Sequence, residues 1–282
     1  MSHLSQDRAR ERVERLRLES ILDVVCSALS CGASGYTFST HPTNLQVLRV
    51  LKDSERIDRE FDLYPVLPYA QGYVRLANEK GMSGLVREIL SKLSLSEKAK
   101  AVLTGGASAL TLNPSRMLRT YVDMELGSYL RARPARTNVR SVLLHQVVTD
   151  LCLGFKESSL LDSFMQHIHD KYSAKPGFVT YNLVRFVDFL REAGLSLRDV
   201  VIMTPFNSIG FQMSPSRDSC EACLSTLRDG EVIAMSIMAG GYLSLDQAFD
   251  YIRALSRRPG IAVGASTEEH ARDTFTRLRT LR

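Results

Sequence analysis

From Tyr36 onward, short apolar runs of strand character alternate with longer runs of helical periodicity, and this alternation limits the fold more than any other feature. The strand-like runs are Tyr36–Ser39, Asp62–Leu67, Ala101–Thr104, Arg140–Leu144, Phe178–Thr180, Val200–Met203, Val232–Met235 and Ile261–Val263. Their starts are spaced by about 32 residues on average, close to the length of one strand–helix unit. Eight such units predict an α/β chain folded as a (β/α)8 TIM barrel. Most runs are apolar on both faces, as strands are when helices cover one side and a barrel core the other.

Helix boundaries agree with this spacing. Pro42 and Pro114 stand where a first helical turn tolerates proline. Ser244 to Gln247 and Ser266 to Glu269 have the spacing of capping boxes. Leu183, Phe186, Val187 and Leu190 recur at helical intervals and stop at Gly194, a natural C-terminal cap. Ahead of the first strand, Gln6 to Ser30 predicts an additional N-terminal helix. Residues 1–33 are therefore expected as a helical extension and residues 34–282 as the barrel. The extension is expected either as a lid over the barrel bottom or as a contact in a homo-oligomer.

Composition removes several function classes. The 282 residues carry 36 basic and 31 acidic side chains, a net charge of +5. The one dense basic stretch, DRARERVERLR, is offset by glutamates, so a nucleic-acid partner is not expected and a small anionic metabolite is. No apolar run is long enough for a membrane span, no secretory signal is visible, and a cytoplasmic location is expected. Five irregularly spaced cysteines predict free thiols. Cys220 and Cys223 lack the second pair a zinc site needs.

The working face of such a barrel is at the C-terminal ends of its strands. His145 and His41 end two strands there and are the candidates for moving protons near neutral pH. Asp150 is placed to orient His145. Tyr69 follows the second strand as a further catalytic candidate. Gln71, Tyr181, Asn182, Asn207 and Ser236 offer uncharged hydrogen bonds to a substrate. Gly240 and Gly241 after the seventh strand, with Gly264, Ala265 and Ser266 after the eighth, let backbone approach a phosphate beside a helix N-terminus. No metal site is expected: His145-x4-Asp150 is not a ligand motif, and His167 and His169 face different ways on a helix.

The stretch VIAMSIMAGGYLSLDQAFDYIRALSRRPGIAVGASTEEHARDTF resembles the end of the aldo-keto reductases. The resemblance implies that these same loops hold the phosphate-bearing part of NADPH. It also implies an Asp, a Tyr, a Lys and a His after strands one to four. Only Tyr69 and His145 correspond; Thr40 with His41, and Thr104-Gly105-Gly106, stand at the other two positions. The residues themselves lead with an acid/base enzyme, a lyase, aldolase-type enzyme or isomerase acting on a phosphorylated or anionic metabolite. The alternatives are an NADPH-dependent reductase and a barrel used only for binding.

Overall fold

The computed structural model describes residues 18–54, 56–68 and 114–280. The chain opens with α1 (Leu18–Ser30), β1 (Gly35–Ser39), α2 (Pro42–Asp53) and β2 (Phe61–Leu67). It continues with α3 (Pro114–Ala132), β3 (Thr137–Val139), β4 (Ser141–Leu144), α4 (Gln146–Phe155) and α5 (Ser158–Tyr172). Then come β5 (Lys175–Val179), α6 (Leu183–Glu192), β6 (Val201–Pro205), α7 (Arg217–Thr226) and β7 (Glu231–Met235). The last elements are α8 (Leu245–Ala254), β8 (Gly260–Ile261) and α9 (Glu268–Arg279).

Every strand pairing is parallel, in the order β1-β2-β4-β5-β6-β7-β8, with β3 a second partner of β2. The registers Ser39↔Val66, Leu67↔Leu144, Val179↔Met203 and Pro205↔Met235 bring the strand ends to one rim. A curled parallel sheet with nine helices among the described residues is an α/β TIM-barrel fold with an added N-terminal helix, as the alternation predicts.

The differences are local. The expected third strand, Ala101–Thr104, lies outside the described residues; among those described, β2 bonds β1 on one side and β3 and β4 on the other. The expected run at 140–144 starts one residue late, as β4, and is preceded by the unexpected β3; Arg140 between them changes partners, its amide donating to Leu63 O at 3.1 Å while its carbonyl accepts Lys175 N at 3.0 Å. β5 begins three residues earlier than predicted and contains Pro176 and Gly177, residues that normally argue against a strand. Gly177 is required there, since a Cβ would lie 2.5 Å from Ser141 Oγ and 2.7 Å from a Leu143 methyl carbon.

Alternation along the strands sorts three layers of core. Val142, Leu144, Phe178, Ile202, Val232 and Ala234 face the helices and are buried with Phe164 and Phe186. Leu143, Val179, Val201 and Met203 point into the barrel. Leu22, Val25 and Leu29 of α1 join a separate cluster with Val47, Leu48, Phe61, Leu63 and Tyr129. α1 packs along α9 and α2. Among the described strands, β1 and β8 are not hydrogen-bonded to each other, so α1 covers an open seam.

Helix ends follow the sequence with one correction. Ser244 and Gln247 form the complete capping box of α8. Gly194 takes φ +69°, with Gly194 N bonding Arg191 O and Leu195 N bonding Leu190 O, which satisfies the last carbonyls of α6. At α9, however, Thr267 and not Ser266 is the cap: its hydroxyl accepts His270 N at 3.2 Å, one residue out of the expected register.

Candidate functional site

The first two histidines of the rim are built alike. His41 is the N-cap of α2 and His145 the N-cap of α4, each leaving its strand in extended conformation. His41 Nδ1 accepts Thr43 N at 3.1 Å, and His145 Nδ1 accepts Val147 N at 3.2 Å. A nitrogen that accepts a backbone N–H carries no proton, so the neutral ring is protonated at Nε2. Burial pushes both histidines below their ordinary value, so the neutral ring dominates near pH 7. The two stand on strands either side of β2, about 10 Å apart at ordinary strand spacing. His145 N also donates to Leu67 O at 2.5 Å, tying it to the end of β2. Its Nε2 has no partner among the described residues.

This geometry changes the role expected for His145 and His41. A proton shuttle needs a nitrogen that both takes and returns a proton, and Nδ1 is occupied by the helix it caps. What remains at His145 is an N–H donor. Asp150 does not orient it: the Asp150 carboxylate accepts Thr180 Oγ1 at 2.6 Å, and that hydroxyl in turn accepts Asn182 N at 2.9 Å. Asp150 thus fastens α4 to the turn after β5. Thr180, wholly buried, is the residue the sequence did not single out. Asn182 holds the N-cap position of α6, yet its side chain makes no capping bond, so its amide stays available. Tyr181 is half-buried beside Asp150; burial and then that carboxylate push its phenol up.

Asn207 corrects a second expectation. It is wholly buried, donates to Phe211 O at 2.9 Å and Ser236 O at 3.3 Å, and accepts Phe211 N at 2.7 Å. Its amide is committed to holding the β6 and β7 loops together and has nothing left for a substrate. Ser236, held through its carbonyl, takes φ +52°. The following turn has Ala239 at +49°, Gly240 at +69° and Gly241 at +97°. A Cβ at Gly240, Gly241 or Gly264 would meet nothing within 4 Å, so this backbone is bare.

The end of α9 does not suit a phosphate. Glu268 and Glu269 fill its first turn and already offset the helix dipole. Glu268 accepts Ser27 Oγ at 3.0 Å and pairs with Arg272 at 2.6 Å, while Ser266 Oγ meets His270 Nδ1 at 3.2 Å. The anion reading of Gly264, Ala265 and Ser266 loses its helix-dipole argument here. Tyr69 and Gln71 lie outside the described residues. Among those described, no group of three His, Cys, Asp or Glu could hold a metal. Burial pushes the Cys220 thiol up to about 11, and Cys223 is free beside it.

The sequence reading also missed the opposite rim. Glu231 bonds Arg140 at 2.6 Å and Lys175 at 2.5 Å, and Lys175 approaches Asp199 at 3.6 Å. Its signal was present: Asp62, Arg140, Lys175 and Glu231 all stand at or beside the starts of strands. At that end of a barrel such residues serve stability.

No family model matches the chain, and no curated protein matches it. Among solved structures it is similar to MGS-M4, an aldo-keto reductase enzyme from a Medee basin deep-sea metagenome library. The identity is 13%, the match covers 90% of this chain and 78% of that one, and the TM-score is 0.53. The likeness establishes the TIM-barrel fold. Among the described residues, no helix is long and apolar enough to cross a membrane.

Proposed function

We propose that the chain is a carbonyl-directed oxidoreductase of aldo-keto reductase type, with His145 as the hydrogen-bond donor to the substrate oxygen. The observation that carries this reading is the His145 ring: neutral, protonated at Nε2, and presented at the end of β4 with that N–H unpartnered among the described residues. Such a donor strengthens its bond as negative charge develops on a carbonyl oxygen. A lyase or isomerase that depends on proton shuttling finds less support, because Nδ1 is committed to Val147 N.

A nicotinamide dinucleotide, when bound, would supply the hydride. The bare backbone at Gly240, Gly241 and Gly264 fits close approach of its pyrophosphate. A 2′-phosphate fits poorly, because Glu268 and Glu269 would face it in the first turn of α9. This favours NADH over the NADPH that the sequence resemblance implies. Tyr69, two residues beyond the Leu67 carbonyl that His145 N holds, is the proposed proton donor to the oxygen. Asp150 and Thr180 position the neighbouring turn, leaving Asn182 and Tyr181 to orient the substrate.

Titration of the protein with each dinucleotide, followed by nicotinamide fluorescence, tests the reading without interference from tryptophan, which the chain lacks. NADH should bind at least about tenfold tighter than NADPH, a difference one unfavourable charge contact can supply. His145→Ala should lower turnover of 4-nitrobenzaldehyde by roughly 100-fold or more while NADH binding persists. Absence of binding by either dinucleotide would overturn the proposal.

A further inference from the structure

Along the open seam between β1 and β8 runs a cavity of about 920 Å³. Its walls are apolar, formed by Ile21, Val24 and Ala28 of α1, Ile233 of β7, and Phe275 and Leu278 of α9. A concavity of this size is in the range of small-molecule sites.

The two ends of the cavity differ in charge. At the rim, Ser236 and Gly264 to Ser266 are uncharged. At the opposite end stand Arg257, Arg258 and Arg279. Arg257 gives its hydrogen bonds to the carbonyls of Leu227 and Gly230, which leave its charge uncompensated. Arg279 lays its alkyl chain over Gly32, where a Cβ would come within 2.7 Å of Arg279 Cδ. Among the described residues its guanidinium has no carboxylate partner. Glu231 also reaches the cavity, but Arg140 and Lys175 already hold its carboxylate. The floor of the cavity is therefore positive.

We infer that this seam is a binding site for a long-chain carboxylate. The acyl chain lies between α1, α9 and the inner face of β7, and the carboxylate meets Arg279 and Arg257. From Arg258 to Gly264 the extended backbone spans roughly 20 Å, room for a chain of about twelve carbons or more. The inference does not rest on the reductase reading, since the arginines stand at the rim opposite His145.

The test is calorimetric titration of the full chain with dodecanoate below its micellar concentration. Octanoate and dodecyltrimethylammonium serve as probes of tail length and head charge. Each methylene buried should tighten binding about fourfold, so dodecanoate, with four more, should bind about 250-fold tighter than octanoate. The cationic amphiphile should not saturate. Val24→Trp, which fills the cavity, should abolish dodecanoate binding, and Arg279→Glu should weaken it at least about tenfold. Arg279 is exposed, so its variant remains informative if Val24→Trp does not fold. The proposal is overturned if dodecanoate does not bind, if the cationic amphiphile saturates equally well, or if Arg279→Glu leaves the affinity unchanged. NADH binding is measured on the same samples, so loss of one reading is separable from loss of the other.

Discussion

A histidine at a helix N-cap divides its ring between two tasks. At His145, Nδ1 completes α4 and Nε2 is left for chemistry, and substitutions can separate the two. His145→Asn keeps a capping oxygen and should leave stability within about 0.5 kcal/mol, whereas His145→Ala should cost about 1 kcal/mol. Alanine loses the donor outright, and asparagine's side chain is too short to bring its amide N–H to the place of Nε2. Equal melting temperatures for the two variants would show that the cap contributes nothing. Asn207 poses the opposite case. Asn207→Ala leaves partly buried groups of Phe211 and Ser236 without their bonds and should destabilise by about 1–2 kcal/mol in urea unfolding. The sequence marked both positions correctly as ends of strands. It carried no sign of which way an amide faces, so Asn207, with its bonds turned inward, and Asn182, with its amide uncommitted, looked alike.

Elements were more legible than side chains, because strand and helix periodicities leave marks that single hydrogen bonds do not. The exceptions have physical causes. Pro176 hid the start of β5, and Arg140, whose amide and carbonyl serve different strands, divides β4 from β3, a short strand the periodicity did not mark. Gly177→Ala tests the packing there: the added methyl meets Ser141 Oγ and Leu143, and should destabilise by about 1–3 kcal/mol. A melting temperature unchanged by this substitution would refute the close approach of β4 and β5. Between α3 and α5, Asp123 accepts His167 Nε2–H at 2.7 Å, Lys171 Nζ at 2.6 Å and Tyr172 OH at 2.5 Å. Nothing in the sequence spacing joins residue 123 to residue 167, so this lock was invisible. Asp123→Ala should cost about 1–3 kcal/mol, read from chemical unfolding.

For the molecule as a whole, the titrating groups act mostly in one direction. His41 and His145 are held below their ordinary value by burial, so their contribution to stability is present above about pH 6.5 and declines as pH falls. Burial pushes Asp123 up, but its bonds to Lys171, Tyr172 and His167 more than offset this; Glu231 is likewise lowered against its burial by Lys175 and Arg140. Those carboxylates stabilise above about pH 4 and fail below it. Asp62, raised chiefly by burial, works in the opposite sense. Melting temperature should therefore fall in two stages on acidification, and His41→Asn with His145→Asn should remove the first. A first stage that persists in the double variant would assign it to other groups.

The open seam has a mechanical consequence. A closed barrel can change its girth only by breaking backbone ladders, but here the first and last strands are joined through side chains of α1 and α9. Sliding one helix against the other would widen or narrow the bore at the cost of van der Waals contacts and the Ser27–Glu268 hydrogen bond, with no backbone ladder broken. Substitutions confined to those two helices should therefore retune the barrel's calibre while the sheet from β1 to β8 stays intact.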